Sequence, residues 1–435
     1  MKWIVPVLLF CKAFMLPVLG QKKSVVLAEA SPETAGVSTE RLARLDRFIQ
    51  RYIDDRELNG ATALILRDGK IVYHKAFGYS DLENRKPMRK DDIFRIASMT
   101  KPIVSVAAMM LVEEGLMSLD DPVSKYIPEF KETGVLEKYN AADTTYVIGK
   151  PRSQVTVRHL LNQTSGIGYA QIGSPEANAI YAKNRINGGI GTPYSTLKET
   201  IPRLARLPLF HQPGEKYLYG LNTDVLGYLI EVVSGKNLDR FLAERIFVPL
   251  GMKDTHFYLP AGKKDRLVQL YKQGPDGKVV LQEPVTGLNG EFQRDFPLAA
   301  NGTYYSGGAG LSSTALDYGI FCQMLLNGGI YNGVRILSPH TIRVMTSNQI
   351  GKSPMWNGSD GPNRFGLGFG VYTSASESQS PAQAGTFDWA GMFATHFWVD
   401  PKSRMSCVFM RNIWPTTNWD FGDKVKSVVY QALTD

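Results

Sequence analysis

Two residues that could share a proton stand three apart, Ser98 and Lys101, in the stretch Phe94-Arg95-Ile96-Ala97-Ser98-Met99-Thr100-Lys101. A serine hydroxyl is a weak nucleophile until a neighbouring base takes its proton, and a desolvated lysine can be that base. The apolar run Ile103 to Val112 follows directly, so the pair is expected at the N-terminal end of a buried helix. Residues three apart on a helix share a face, and the first turn adds N–H groups of partial positive charge. Pro102 suits that first turn, where its missing N–H has no partner to lose. The spacing recurs at Ser195 and Lys198, behind the turn-rich Gly188-Gly189-Ile190-Gly191-Thr192-Pro193 and with no strongly apolar helix after it. On the local pattern alone, a helix-capping serine with a solvated lysine accounts for Ser98 as well as a nucleophile does.

The elements that must hold such a pair follow from periodicity. Ser38 can cap a first helix whose Leu42, Leu45, Phe48, Ile49, Tyr52 and Ile53 share one face. Asp68-Gly69 between two β-rich runs, Ala61–Arg67 and Lys70–Phe77, predicts a hairpin. The Ser98 helix is expected to end near Gly115. From Phe130 to about Ala300, helical patterns separated by loops rich in Gly, Pro and Asn take over. Strand-like runs return at Gly366–Thr373, Thr386–Val399 and Arg404–Arg411, and Val425, Val428, Val429 and Leu433 mark a closing helix. The expected fold class is α+β: an antiparallel sheet flanked by helices, built from residues 35–129 and 300–435, with a mostly helical domain inserted over 130–299. Tyr219 stands just before a helix start, where a phenol can lose its proton more easily if cations are near. The bland alternative is a half-buried aromatic with its hydroxyl on a carbonyl.

Composition narrows the classes. The 435 residues are 43% apolar and 21% charged, as in ordinary globular proteins. The net charge of +8 comes without a dense Lys/Arg block, so no nucleic-acid partner is expected. Residues 1–20 read as an export signal: Lys2, an apolar stretch interrupted by Lys12, and Val18-Leu19-Gly20 as a cleavage site. A periplasmic or secreted protein is the expectation, with an uncleaved leader as membrane anchor the minor alternative. Cys11 lies in that leader; Cys322 and Cys407 read as buried apolar residues rather than a disulfide framework. The six histidines are scattered, and neither a metal site nor a cofactor is implied.

Several stretches together resemble the serine β-lactamase-like superfamily. They are the Ser98 motif; Thr156-Val157-Arg158-His159-Leu160-Leu161 with Thr164-Ser165-Gly166; Pro213-Gly214-Glu215-Lys216 leading to Tyr219; Val248-Pro249-Leu250-Gly251-Met252; Gly310-Leu311-Ser312-Ser313-Thr314; and Trp398-Val399-Asp400-Pro401. The resemblance covers roughly residues 35 to 435. It implies Ser98 as nucleophile, Lys101 as its base partner and Tyr219 as a second proton carrier. It also implies an oxyanion hole from the backbone N–H groups of Ser98 and Met392.

Two departures point within the superfamily. The second motif, usually Tyr-x-Asn, has Leu221 at its third place, with Asn222 one residue late. The third motif, usually Lys-Thr-Gly or His-Thr-Gly, is Trp389-Ala390-Gly391. Tryptophan cannot supply the cation that attracts a substrate carboxylate. Both departures resemble family VIII carboxylesterases, so Trp389, Gly391 and Leu221 are expected at the substrate, and Gly391 is expected to let it approach closely. The implied reaction is two-step acyl transfer on a small-molecule ester. The enzymatic alternative is an amide, either a β-lactam or a D-amino-acid peptide, and transfer of the acyl group to an alcohol or amine stays open. A catalytically silent binding or sensor module is the alternative of another class. Oligomeric state is not readable from the sequence.

Overall fold

The computed structural model describes residues 26–286, 292–355 and 361–435. The export signal expected over 1–20 lies outside the described residues, as does part of the Met355–Asn363 loop. Among the described residues the main sheet has nine strands. Eight form one path: β1 (Ala28–Glu29), β2 (Gly60–Arg67), β3 (Lys70–Asp81), β4 (Arg364–Phe365), β5 (Gly370–Val371), β6 (Phe387–Ala390), β7 (His396–Asp400) and β8 (Met405–Met410), in the order β1-β3-β2-β8-β7-β6-β5-β4. The ninth, Lys86–Pro87, pairs with β3. Its neighbours are antiparallel except for the two-residue β1, which runs parallel to β3. Chain ends thus meet at the sheet centre, where Cys407 of β8 sits opposite Ile65 of β2.

The predicted hairpin is β2–β3, turned by Asp68 and Gly69 with φ of 53° and 72°. Two adjacent positive φ values match the right-handed twist of the flanking strands. All of β2 is buried, because helices cover both faces of the sheet. Ala61, Ala63 and Ile65 meet α1 (Thr39–Asp54) on one face, while Leu64 and Leu66 join the main core on the other. The main core also takes in α2 (Thr100–Glu113), α3 (Asn222–Ser234) and α4 (Ala315–Leu326); α5 (Phe421–Tyr430) lies beside α1. Cys322 and Cys407 are free and buried. Ser38 accepts from Arg41 N at 3.2 Å, capping α1 as expected. No helix among the described residues is long and apolar enough to cross a membrane.

Two strand expectations need correction. Thr386–Val399 is not one strand but the hairpin β6–β7, with Trp389 opposite Phe397 and Ala390 opposite His396. The turn between them, Gly391 to Thr395, contains Ala394 at φ 66°, a conformation no continuing strand adopts. Gly366–Thr373 shrinks to β5 alone. Gly368, at φ 93°, presses so closely on α2 that a Cβ there would lie 2.2 Å from Ser105 Oγ.

Candidate active site

Ser98 is delivered by a tightly tied segment. Arg95 pairs with Ser312, and Ile96 N–H donates to Leu311 O at 3.1 Å. The Asn412 side chain accepts from Arg95 N and donates to Arg95 O, both at 3.1 Å. Ala97 then adopts φ 42°, a strained conformation for a residue with a Cβ. It opens a short 3-10 turn, Ala97–Met99, that places Ser98 at the foot of α2, with Pro102 in the helix's first turn. Residues 100–111 of α2 are buried, whereas Ser98 keeps partial access to solvent.

Around Ser98 Oγ the polar atoms converge. Lys101 Nζ donates to it at 3.3 Å, and Tyr219 Oη donates to it at 2.7 Å. Lys101 is fully buried, and its other N–H groups reach Tyr169 Oη at 2.9 Å and Gly308 O at 2.8 Å. Three donors meet three acceptors, which uses the whole capacity of an ammonium. The ammonium also lies 4.5 Å from the Tyr219 ring centre, within cation–π range. Burial pushes the Tyr169 phenol far above its ordinary pKa, with nearby Tyr219 and Asp224 adding to the effect. Tyr169 therefore stays protonated and neutral.

Tyr219 is positioned by the Thr164-Ser165-Gly166 turn. Gln163, at φ 60°, accepts Leu218 N–H at its carbonyl (2.8 Å) and Gly220 N–H at Oε1 (3.2 Å). Leu221 N–H donates to Gly168 O at 3.1 Å, and the Leu221 side chain is buried against Gly189. A Cβ on Gly220 would lie 1.9 Å from Ile167 O, so glycine is required there. Asn222 faces inward: it accepts from Ser165 Oγ and donates to Gln163 Oε1 at 2.9 Å. It braces the tyrosine loop and is spent on that network. His159 is structural, its Nδ1 accepting Thr156 N–H at 3.2 Å in a capping box.

On β6, Trp389 is 8% exposed, its ring centre 5.7 Å from Tyr219 and 5.0 Å from Phe365. Gly391 is packed tightly against the Ser98 segment. A Cβ there would lie 2.3 Å from both Ile96 O and Thr395 Oγ1, and Thr395 Oγ1 donates to Ile96 O at 3.3 Å. Gly391 thus docks the β6–β7 turn on the Ser98 segment. Its carbonyl accepts Ala394 N–H at 2.9 Å, and Met392 follows it at the half-buried start of that turn.

The structure brings Ser98, Lys101 and Tyr219 together and adds Tyr169, Gly308 and Asp224, which the sequence reading passed over. Tyr169 lies three residues after Gly166, on the same turn that holds Tyr219. Asp224 sits in the first turn of α3, where a carboxylate ordinarily reads as a complement to the helix dipole. No cluster that could hold a metal ion occurs among the described residues.

A serine, a lysine and a tyrosine at hydrogen-bond distance, at the foot of a buried helix, define a class. The family model described as Beta-lactamase matches residues 45–426, and the chain belongs to that family. It is a serine hydrolase of the β-lactamase fold. Esterase EstB of Burkholderia gladioli is 32% identical over 85% of this chain and 90% of its own length. A protein of Escherichia coli strain K12, named provisionally as a D-alanyl-D-alanine carboxypeptidase, is 29% identical over 90% of this chain and 86% of its own. The solved structure titled "EstCE1, a hydrolase with promiscuous acyltransferase activity" is 28% identical, with a TM-score of 0.76 over 90% of this chain and 98% of that one.

Proposed function

We propose that the chain hydrolyses carboxylic esters through an acyl-enzyme formed on Ser98. The observation that carries this reading is Trp389. β-Lactams and peptides ending in a D-amino acid bring a carboxylate, which calls for a cationic partner. At the third-motif position this protein presents an indole packed on Tyr219 and Phe365, which offers apolar surface and no charge. The buried Leu221 and the internally bonded Asn222 agree with it: neither holds out an amide to a substrate amide. The names EstB and EstCE1 support the same reading.

In this mechanism Ser98 attacks the ester carbonyl while Tyr219 and Lys101 relay its proton. Both already touch Ser98 Oγ, so the transfer needs no large movement. The N–H groups of Ser98 and Met392 receive the developing oxyanion. This assignment is supported by Gly391, whose fit against Ile96 couples the two backbone segments. The alcohol leaves with a proton, and water releases the acid by the reverse relay. Trp389 lines the substrate side.

Turnover of a p-nitrophenyl ester series beside a chromogenic cephalosporin tests this, with Ser98→Ala as control. Ester preference is expected, and clear preference for the cephalosporin overturns the reading. We also propose export, supported by the leader-like residues 1–20 alone. N-terminal sequencing of protein recovered outside the cytoplasm is expected to start after that segment, and an intact Met1 would count against a cleaved signal.

A further inference from the structure

Behind the lysine stands a carboxylate that the reaction scheme above does not use. Asp224, on the first turn of α3, is 1% exposed. It meets Lys101 and Tyr169 at Gly308: a Cβ on that glycine would lie 2.5 Å from Asp224 Oδ2, 3.4 Å from Tyr169 Oη and 3.5 Å from Lys101 Nζ. The groups facing Asp224 are Lys101 from α2, Tyr169 from the loop after Gly168, and Tyr304, Ser306 and the Gly308 N–H from the loop before α4. Among the described residues none reaches either carboxylate oxygen with good hydrogen-bond geometry.

A carboxylate taken out of water without a partner is costly. The cation facing this one is Lys101, whose three N–H groups already serve Ser98, Tyr169 and Gly308. The two charges therefore act on each other across Gly308 without direct contact. We propose that Asp224 is a positioning residue for the reaction: its buried charge is the counter-ion that sets the proton balance between Lys101 and Ser98. The inference rests on the acyl-enzyme reading. Burial pushes the Asp224 carboxyl up to about 6, against the lowering influence of Ser306 and Lys101. The counter-charge can thus be switched within the working range of an enzyme.

Without the counter-charge, the neutral amine gains on the ammonium. The pH limbs of Ser98 acylation then move to lower pH, by about one unit or more for a negative charge removed beside this cluster. The experiment measures the rate of fluorophosphonate labelling of Ser98, and kcat/KM on a p-nitrophenyl ester, from acid to alkaline pH. It compares the native chain with Asp224→Asn and with the milder Ser306→Ala, checking the fold of each by circular dichroism. The expected result is a downward shift in Asp224→Asn and a smaller one, in the same direction, in Ser306→Ala. Limbs that stay in place in every variant that folds overturn the inference, whatever happens to stability. Labelling reads Ser98 independently of substrate class, so an enzyme that labels with the predicted shift yet ignores esters defeats the ester reading alone. A Ser98 that never labels defeats both.

Discussion

Two lysines are buried among the described residues, on opposite sides of the main sheet, and they are held in opposite ways. Lys426, on α5, donates to Asp388 Oδ2 at 3.2 Å and to Tyr372 Oη, over the Trp398 ring at 5.5 Å. Lys101 faces neutral acceptors: a serine, a tyrosine and a carbonyl. Its carboxylate, Asp224, is kept one step away. A direct ion pair locks both charges, because removing either strands the other in a low-dielectric interior. A lysine among neutral acceptors can give up its proton without stranding a contact partner. The first arrangement is a structural fastening, and the second is one that chemistry can use.

The strongest way to break this contrast is to remove each ammonium while keeping the side-chain length. Lys101→Met is expected to cut kcat/KM by about a hundred- to ten-thousandfold, the range of a lost acid–base group, with the fold retained. Lys426→Met is expected to cost about 3–5 kcal/mol of stability in urea titration, because Asp388 is left charged and buried. The folded fraction should keep most of its activity. If the two variants exchange these phenotypes, the contrast fails.

Acid and base titration sharpen it next. Burial pushes the Asp388 carboxyl up, but Lys426 and then His396 outweigh it and hold the group at about 2. Its contribution to stability is present above the ordinary carboxylate value of 3.8 and is lost as pH falls from there towards 2. Asp224 has the opposite sign. With its value raised to about 6, the native state binds the extra proton, so its contribution is present below 3.8 and is lost as pH rises from there to 6. Melting temperatures across pH should lose the acid arm in Lys426→Met. Asp224→Asn should flatten the arm between about 4 and 6. Parallel curves for the two variants would show that the carboxylates are not distinguished in this way.

The sequence showed one of these lysines and hid the other, for a physical reason. Lys101 announces itself because its partner Ser98 is three residues away, in the 3-10 turn that leads directly into the helix carrying Lys101. Lys426 has its partners on Asp388 and Tyr372, brought near only by sheet assembly, and its neighbours Val425 and Val429 read simply as an apolar face. Asp224, Tyr169 and Gly308 were hidden likewise: three separate segments meet at a glycine. Local signals served the α1 cap, the β2–β3 turn and the Tyr219 loop. They did not serve the run Thr386–Val399, where Gly391, in close contact with Ile96, begins the turn of a hairpin.

A smaller effect separates the acceptors. Tyr169→Phe keeps the ring and removes the hydroxyl that accepts from Lys101 at 2.9 Å. A hydrogen bond to a charged group is worth about 1.5 kcal/mol or more, so stability should fall by about that free energy, and kcat should fall about tenfold because the same ammonium serves Ser98. Tyr372→Phe makes the matching cut beside Lys426 and should lower stability by a similar free energy with kcat unchanged.

The smallest effect is expected at the second Ser-x-x-Lys. Ser195 lies outside the helix Leu197–Ala205, whose N-cap is Thr196 with Glu199 closing a capping box. The rule that residues three apart share a helical face therefore does not apply to it. Its carbonyl accepts Thr303 Oγ1 at 2.7 Å and its hydroxyl lies 3.3 Å from Thr200 Oγ1, while Lys198 is exposed. An exposed lysine has water for its N–H groups. Lys198→Ala should thus change stability by no more than about 0.5 kcal/mol and leave ester turnover and fluorophosphonate labelling as they were. A loss of labelling in that variant would mean that spacing, rather than burial among neutral acceptors, is what makes a lysine here chemical.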